Sequence, residues 1–244
     1  MISSGWTNFW AGQKQSFNTI MKINTTFFAL RMEKLFHLKP TDEILDYGCG
    51  PGFLADHLAA KKISITGADI NKYFIEYSRA NHPESLFIQV TPDTEINKKL
   101  LDEQLKGKKF DYIILLSIAQ YFKNAEELEN VIRLLFSYKK KKGKIIIADV
   151  IDENTSSLAD ALSLLRHCVK KGMILAFIRF MVYLLFSNYS RISRKTKLLR
   201  ISEQSISRIA ANNLLDFEKI NGLTIHSSRT SYVLTNTSHY YRGN

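Results

Sequence analysis

Apolar positions along the chain follow two periods. From about residue 42 onward, short apolar runs of strand length alternate with stretches of helical period. The runs at residues 43–46, 62–68, 86–90, 110–116 and 144–150 predict five strands. The stretches at 53–61, 72–80, 95–106 and 125–138 predict the helices between them. Near-continuous apolar strands separated by helices indicate a parallel sheet covered on both faces. The end of the chain breaks the alternation. A helix that starts at Ser202, a suitable N-cap, and runs to about Asn212 is followed by strands at 217–220 and 231–235. The connection over residues 221–230 is short and carries no helix, so the last two strands should pair antiparallel.

Two segments lie outside this core. Residues 1–41 are rich in aromatics (Trp6, Phe9, Trp10, Phe17, Phe27, Phe28) and read as helical. Residues 151–200 separate the fifth strand from the last helix. In their first part Leu158, Ala161, Leu162, Leu165 and Val169 fall on one helical face, which should be the packing face. Gly172 ends that pattern, and residues 173–186 form a second helix that is apolar almost all round. Such a helix is buried, pairs with a second copy, or touches lipid. Neither segment has linker composition. The expected organisation is therefore one domain: an N-terminal helical cap (1–41), a core (42–150), a helical lid insertion (151–200) and the last helix and strands of the core (201–244).

Composition narrows the class. The chain has 244 residues, 45% of them hydrophobic and 23% charged, which excludes a disordered or collagen-like chain. Its two cysteines, Cys49 and Cys168, make neither a disulfide framework nor a zinc cluster, so no metal is expected and a reducing, cytoplasmic setting is. The N-terminus lacks the pattern of a signal peptide, and the apolar stretch 173–186 is too short to span a bilayer and carries Arg179. The net charge of +11 gathers partly in two runs, residues 139–144 and 191–197. Without a recognition motif these read as a solvated helix end and a solvated linker rather than as a nucleic-acid site.

The stretch that carries chemistry is Asp46-Tyr47-Gly48-Cys49-Gly50-Pro51-Gly52, placed after a strand and before a helix. Glycines there let the backbone turn tightly and approach a ligand, and free N–H groups at the helix start face it. The spacing differs from the dinucleotide fingerprint, because the position three after Gly50 is Phe53. Asp46 would repel a pyrophosphate and suits an amine-bearing ligand. A second acid, Asp69, ends the next strand, where it can accept hydrogen bonds from ribose hydroxyls. Cys49, with no Cys or His partner nearby in sequence, reads as a small filler.

These residues resemble the class I S-adenosylmethionine-dependent methyltransferases. The first motif is residues 43–52, the ribose acid is Asp69, the fourth-strand motif is 110–114 followed by 117–122, and the fifth-strand motif is 143–149. The resemblance implies an α/β, Rossmann-like fold with a seven-stranded, mostly parallel sheet whose last strand is antiparallel, here with a helical cap. It implies that Asp46, Gly48, Gly50 and Gly52 hold the methionine part of S-adenosyl-L-methionine, that Asp69 holds the ribose and that Ile70 lies on adenine. Asp93 or Thr91 would serve the adenine amine, and Ser117 would complete the cofactor site. The turn before strand five is Lys141-Lys142-Gly143, a more basic form of the family's turn.

The segment after strand four, Ser117-Ile118-Ala119-Gln120-Tyr121, lacks the proline-containing motif of base-amino methyltransferases, and no cysteine stands near strands four or five. Nucleic-acid bases are therefore disfavoured. The aromatic and apolar caps favour an apolar small-molecule acceptor, methylated at oxygen by analogy with such folds. Among the histidines, His226 is the candidate base, because its loop should emerge at the carboxyl ends of the parallel strands. Tyr121 is a second catalytic candidate, and Arg229 can bind an anion or fix the loop. His37 and His57 read as structural, His82 as a loop residue, His167 as solvated, and His239 as part of the tail. Three other readings stay open: a membrane-associated lipid or quinone-type acceptor, with Lys170, Lys171, Arg191 and Arg194 on anionic lipid; an RNA methyltransferase; and a cofactor-binding protein without catalysis. A homodimer through 173–186 also stays open.

Overall fold

A computed structural model describes residues 4–11 and 17–237; His239 and parts of the N-terminal cap lie outside the described residues. The strands are β1 (Glu43–Tyr47), β2 (Ser64–Asp69), β3 (Leu86–Gln89), β4 (Phe110–Leu116), β5 (Lys139–Val150), β6 (Leu215–Asn221) and β7 (Thr230–Asn236). They form one sheet in the order β3-β2-β1-β4-β5-β7-β6. Only β7 runs against the others, pairing antiparallel with both β5 and β6. This is the Rossmann-like sheet that the sequence pattern and the resemblance imply. The order reverses between β1 and β4, which opens a crevice at the carboxyl ends of those strands.

Strand side chains alternate between two cores, as a pleat requires. Leu45, Ile113, Leu115, Ile145 and Ile147 face one side, where α5 (Thr94–Leu105), α6 (Ala125–Phe136) and α10 (Glu203–Asn212) cover them. Ile44, Ile114, Ile146 and Val233 face the other. That side is covered by α2 (Asn18–Phe36), α3 (Phe53–Ala59) and α4 (Lys72–Asn81), through Phe28, Met32, Leu54, Leu58 and Ile75. Short polar residues open the helices: Asn71, Asp93, Asn124 and Ser202 each accept a backbone N–H in the first turn of α4, α5, α6 and α10.

The remaining helices stand over the crevice. They are α1 (Ser4–Ala11), α7 (Ser157–Lys170), α8 (Ile174–Phe186) and α9 (Asn188–Lys195). Gly172, at φ +68°, separates α7 from α8. Among the described residues, no helix is long and apolar enough to cross a membrane.

Three expectations change. The packing face of α7 is Asp160, Leu164 and Cys168, while Leu158, Leu162 and Val169 point to solvent. His167 is not free in solvent but stands edge-on to Phe27, with ring centroids 5.5 Å apart. The basic run 139–144 does not end a helix. It begins β5, with the Lys139 Nζ on Asn236 Oδ1 at 2.6 Å and the Lys140 Nζ on Asp111 at 2.6 Å. Gly143 is required there, since a Cβ would lie 2.6 Å from the Phe110 carbonyl oxygen.

Phe28 is fully buried between α2 and the sheet, so α2 belongs to the core. Phe28→Ala should lower the unfolding free energy by about 3–5 kcal/mol. Leu175→Ala, at a position 73% exposed on α8, should change it by less than about 0.5 kcal/mol. Urea unfolding of both variants checks this. A loss below about 1 kcal/mol at Phe28 would place α2 outside the cooperative core.

Candidate active site

The crevice closes into a cavity of about 880 Å³, within the range of about 300–1,000 Å³ usual for small-molecule sites. Of the residues singled out in the sequence, Asp46, Gly48, Gly50, Asp69, Ile70, Ser117, Tyr121 and His226 line it. Gly52 and Asp93 do not. Gly52, at φ +81°, is the left-handed residue that opens α3, and its Cα backs onto Ser78. The Asp93 Oδ1 accepts the N–H groups of Glu95 and Ile96 at 2.8 and 3.1 Å, as the cap of α5, and the residue lies off the cavity wall. Thr91 and Asn97 stand on the wall at that place instead.

The glycine loop is bound to β2. The Gly48 and Cys49 N–H groups donate to the Ala68 carbonyl at 2.7 and 3.0 Å, and the Gly50 N–H donates to Asp69 Oδ2 at 2.9 Å. Gly48 has φ +91°, and a Cβ there would lie 2.6 Å from Ile118, so no other residue fits. Asp69 Oδ1 accepts the Asn71 N–H at 2.8 Å, and the Asn71 Nδ2 reaches over to the Trp10 carbonyl at 2.6 Å, which ties α1 to the rim. Each carboxylate oxygen of Asp69 has accepted one backbone N–H and keeps further acceptor capacity.

Asp46 differs. It is 4% exposed, and among the described residues its carboxylate receives no hydrogen bond. Burial, and then the charge of Asp69, push its pKa up to about 7. A buried acid without a donor suits a cationic group. Burial also pushes the Cys49 thiol well above its usual range, which agrees with a filler and not a nucleophile.

A second set of groups comes from β4, β5, α7 and the β6–β7 connection. Asp149, at the end of β5, is 1% exposed. Its Oδ1 accepts from the Thr224 Oγ1 at 3.0 Å and the His226 Nδ1 at 2.8 Å. Its Oδ2 accepts from the Ser117 Oγ at 2.6 Å and an Arg229 NH at 2.8 Å. Burial alone would raise the Asp149 pKa, but Arg229 and His226 outweigh it and hold the carboxyl far below the usual range. Arg229 also donates from Nε to Asp160 at 2.6 Å, and the Ser228 Oγ donates to the same carboxylate at 2.6 Å. Arg229 thus fixes the loop. Because Asp149 is ionised, the His226 Nδ1 is the donor in this pair, and the ring lines the cavity. Asp160 escaped the sequence reading, and Asp149 was noted only as part of a strand motif.

Tyr121 sits among Trp6, Trp10 and Tyr189, with ring centroids 5.1–5.2 Å from Trp6 and Trp10. Burial and then Tyr189 raise its pKa well above the ordinary phenol value, so it stays neutral and is not a base. Phe180 and Leu184 of α8 complete the wall.

Parallel strands around a reversal point, a glycine loop and two acids define a protein that binds a nucleoside-bearing cofactor with a cationic group. Comparison with known proteins agrees. A family model described as a methyltransferase domain matches residues 38–206, more than half of the chain. The chain belongs to that family and is an S-adenosylmethionine-dependent methyltransferase of class I. It is 24% identical over 240 residues to a ubiquinone biosynthesis O-methyltransferase of Rickettsia bellii, covering 96% of this chain and 86% of that protein. It is 30% identical over 129 residues to a ribosomal protein L11 methyltransferase of Laribacter hongkongensis, which is 50% of this chain but only 37% of that protein. Among solved structures, magnesium protoporphyrin IX methyltransferase from Synechocystis PCC 6803 with bound SAH has the same fold, with TM-score 0.54, 16% identity, and 95% and 93% of the two chains covered.

The raised pKa of Asp46 has a consequence for stability. A carboxyl whose folded value is about 7 and whose ordinary value is 3.8 binds its proton more tightly in the folded state between those limits. Its contribution to stability is therefore lost as pH rises from about 4 to about 7. Asp46→Asn should gain stability relative to wild type across that window, and the gap should level off above it. Urea unfolding at pH 4.5 and pH 8 measures the gap; an equal gap at both would contradict the burial of an unpaired acid.

Proposed function

We propose that the protein methylates an oxygen of an apolar small molecule, with His226 as the general base. The observation that carries this reading is the His226–Asp149 pair on the wall of an aromatic-lined cavity. Bound S-adenosylmethionine supplies an electrophilic methyl group on a sulfonium. The chain's residues then bind, align and deprotonate. Asp46 would take the cofactor's amino group, and Gly48 and Gly50 would allow the close approach. Asp69 would offer its free lone pairs to the ribose hydroxyls, and Ile70 would lie against adenine. Ser117, bonded to Asp149, stands on the wall beside them and keeps the base end of the site in register with the cofactor end.

At the acceptor end, Asp149 fixes the His226 tautomer and orientation, so that Nε2 can accept the proton of an acceptor hydroxyl. Asp149 remains ionised and steadies the imidazolium formed. Tyr121, Phe180 and Tyr189 give an apolar ring a surface to lie on and keep water out. Trp10 and Gln120 on the same wall keep a polar atom buried without a protein partner, the Nε1 and the Oε1. Each such group costs about 1–3 kcal/mol, which an acceptor with its own oxygen substituents would relieve. The Rickettsia relative is named as a ubiquinone biosynthesis O-methyltransferase, which supports oxygen as the atom methylated.

Two variants should give crossed results. Asp69→Ala should weaken binding of S-adenosylhomocysteine by about 1.5–3 kcal/mol, through lost hydrogen bonds to a charged group and a loosened glycine loop. His226→Ala should leave that affinity unchanged and lower kcat by about a hundredfold or more. The assay is release of S-adenosylhomocysteine with a panel of apolar catechols and phenols, with calorimetry for affinity. Turnover of amine acceptors only, or wild-type kcat in His226→Ala, would remove this reading.

A further inference from the structure

The helix α8 has two apolar faces. At the spacing of a helical wheel, Phe177, Phe180, Met181 and Leu184 fall on one side, and Phe180, Met181 and Leu184 line the cavity. Leu175, Ile178, Val182, Leu185 and Phe186 fall on the other and are open to solvent; Leu175, Leu185 and Phe186 are 73%, 68% and 86% exposed. Its neighbour α7 also turns apolar residues outward at Leu158, Leu162 and Val169. An isolated exposed leucine is ordinary, but an apolar stripe three turns long is not.

The charge around this stripe is one-sided. Residues 161–202 contain nine Lys and Arg and no Asp or Glu, so they hold nine of the chain's eleven net positive charges. Arg166, Lys170, Lys171, Arg179, Arg191 and Lys195 are exposed. Among the described residues none of these six is ion-paired. Arg179 lies at the edge of the outward arc of α8, one helical step beyond Leu175 and Phe186.

We propose that the outward face of α8, with its rim of cations, docks the protein on an anionic lipid surface, lying in the plane of the interface. An apolar stripe bordered by Lys and Arg matches a headgroup boundary, where the side chains enter the acyl region and the cations meet phosphate. A helix of 13 residues is about 20 Å long, short of the roughly 30 Å hydrocarbon core, so it rests on the bilayer and does not cross it. A second copy of the chain is a poor occupant. A two-fold contact through this face would set the same acid-free, cationic patch against itself. The lipid has the opposite charge. On the proposed reading of the cavity, docking also sets one wall of the site, the inner face of α8, beside the phase in which an apolar acceptor dissolves.

Flotation of the full chain with phosphatidylcholine vesicles, with and without phosphatidylglycerol, tests this independently of the acceptor. The protein should float with the anionic vesicles and be released by salt, as screening requires. Leu175→Glu combined with Phe186→Glu should lower vesicle partition by about tenfold or more while leaving S-adenosylhomocysteine affinity unchanged. Absence of flotation by wild type, or equal flotation with neutral vesicles, would overturn the proposal. So would a vesicle-free dimer, seen by light scattering, that the double variant converts to monomer.

Discussion

Asp149 carries a full charge in the interior and binds four groups from three places in the chain: Ser117 at the end of β4, Thr224 and His226 in the β6–β7 connection, and Arg229 farther along that connection. Removing any one of these leaves a buried carboxylate short of a partner, which is costlier than the loss of one exposed ion pair. Its backbone is held at φ +66°, a conformation that costs a non-glycine residue energy and persists where the surroundings enforce it. Through Arg229 the same charge reaches Asp160 and so fixes α7. Through Ser117 and the Asn24 Nδ2 it reaches α2. The helices α7 and α2 and the β6–β7 connection are thus all referred to one carboxylate, and that carboxylate also orients the ring of His226.

The parts of this structure that local physics determines were legible in the sequence. Period-2 and period-3.6 patterns placed the sheet strands and the helices between them within about five residues, but the run 191–197, read as a linker, lies mostly in α9; the glycine loop with its two acids marked one end of the cavity. What was not legible depended on partners far away in the chain. On α7 the stripe of Leu158, Leu162 and Val169 is more apolar than the face that is buried, so periodicity chose the wrong side. Asp160 faces inward only because Arg229, 69 residues later, neutralises it there. Lys139 read as solvated for a similar reason, since its partner Asn236 stands on β7, 97 residues away. Asp93 has a role of the opposite, local kind. A short acid before a helix satisfies its own first turn, and that local role needs no ligand.

The buried ionisable groups of the cavity are not evenly balanced. At the end formed by β1 and β2, Asp46 and Asp69 face each other's fields, and among the described residues no cationic side chain is paired with either; both have raised pKa values, Asp69 through burial against the pull of backbone N–H groups. At the end formed by β5 and the β6–β7 connection, the acids Asp149 and Asp160 are matched by Arg229 and by the donor nitrogen of His226. Charges at short range in a low dielectric decide what can enter each end. The first end favours a cation over a phosphate. The second end holds both its acids on Arg229 and one of them on the His226 ring as well, and presents aromatic faces. The division of charge therefore gives the cavity two unlike ends, one with two acids that no cationic side chain among the described residues pairs, the other with two acids held by Arg229.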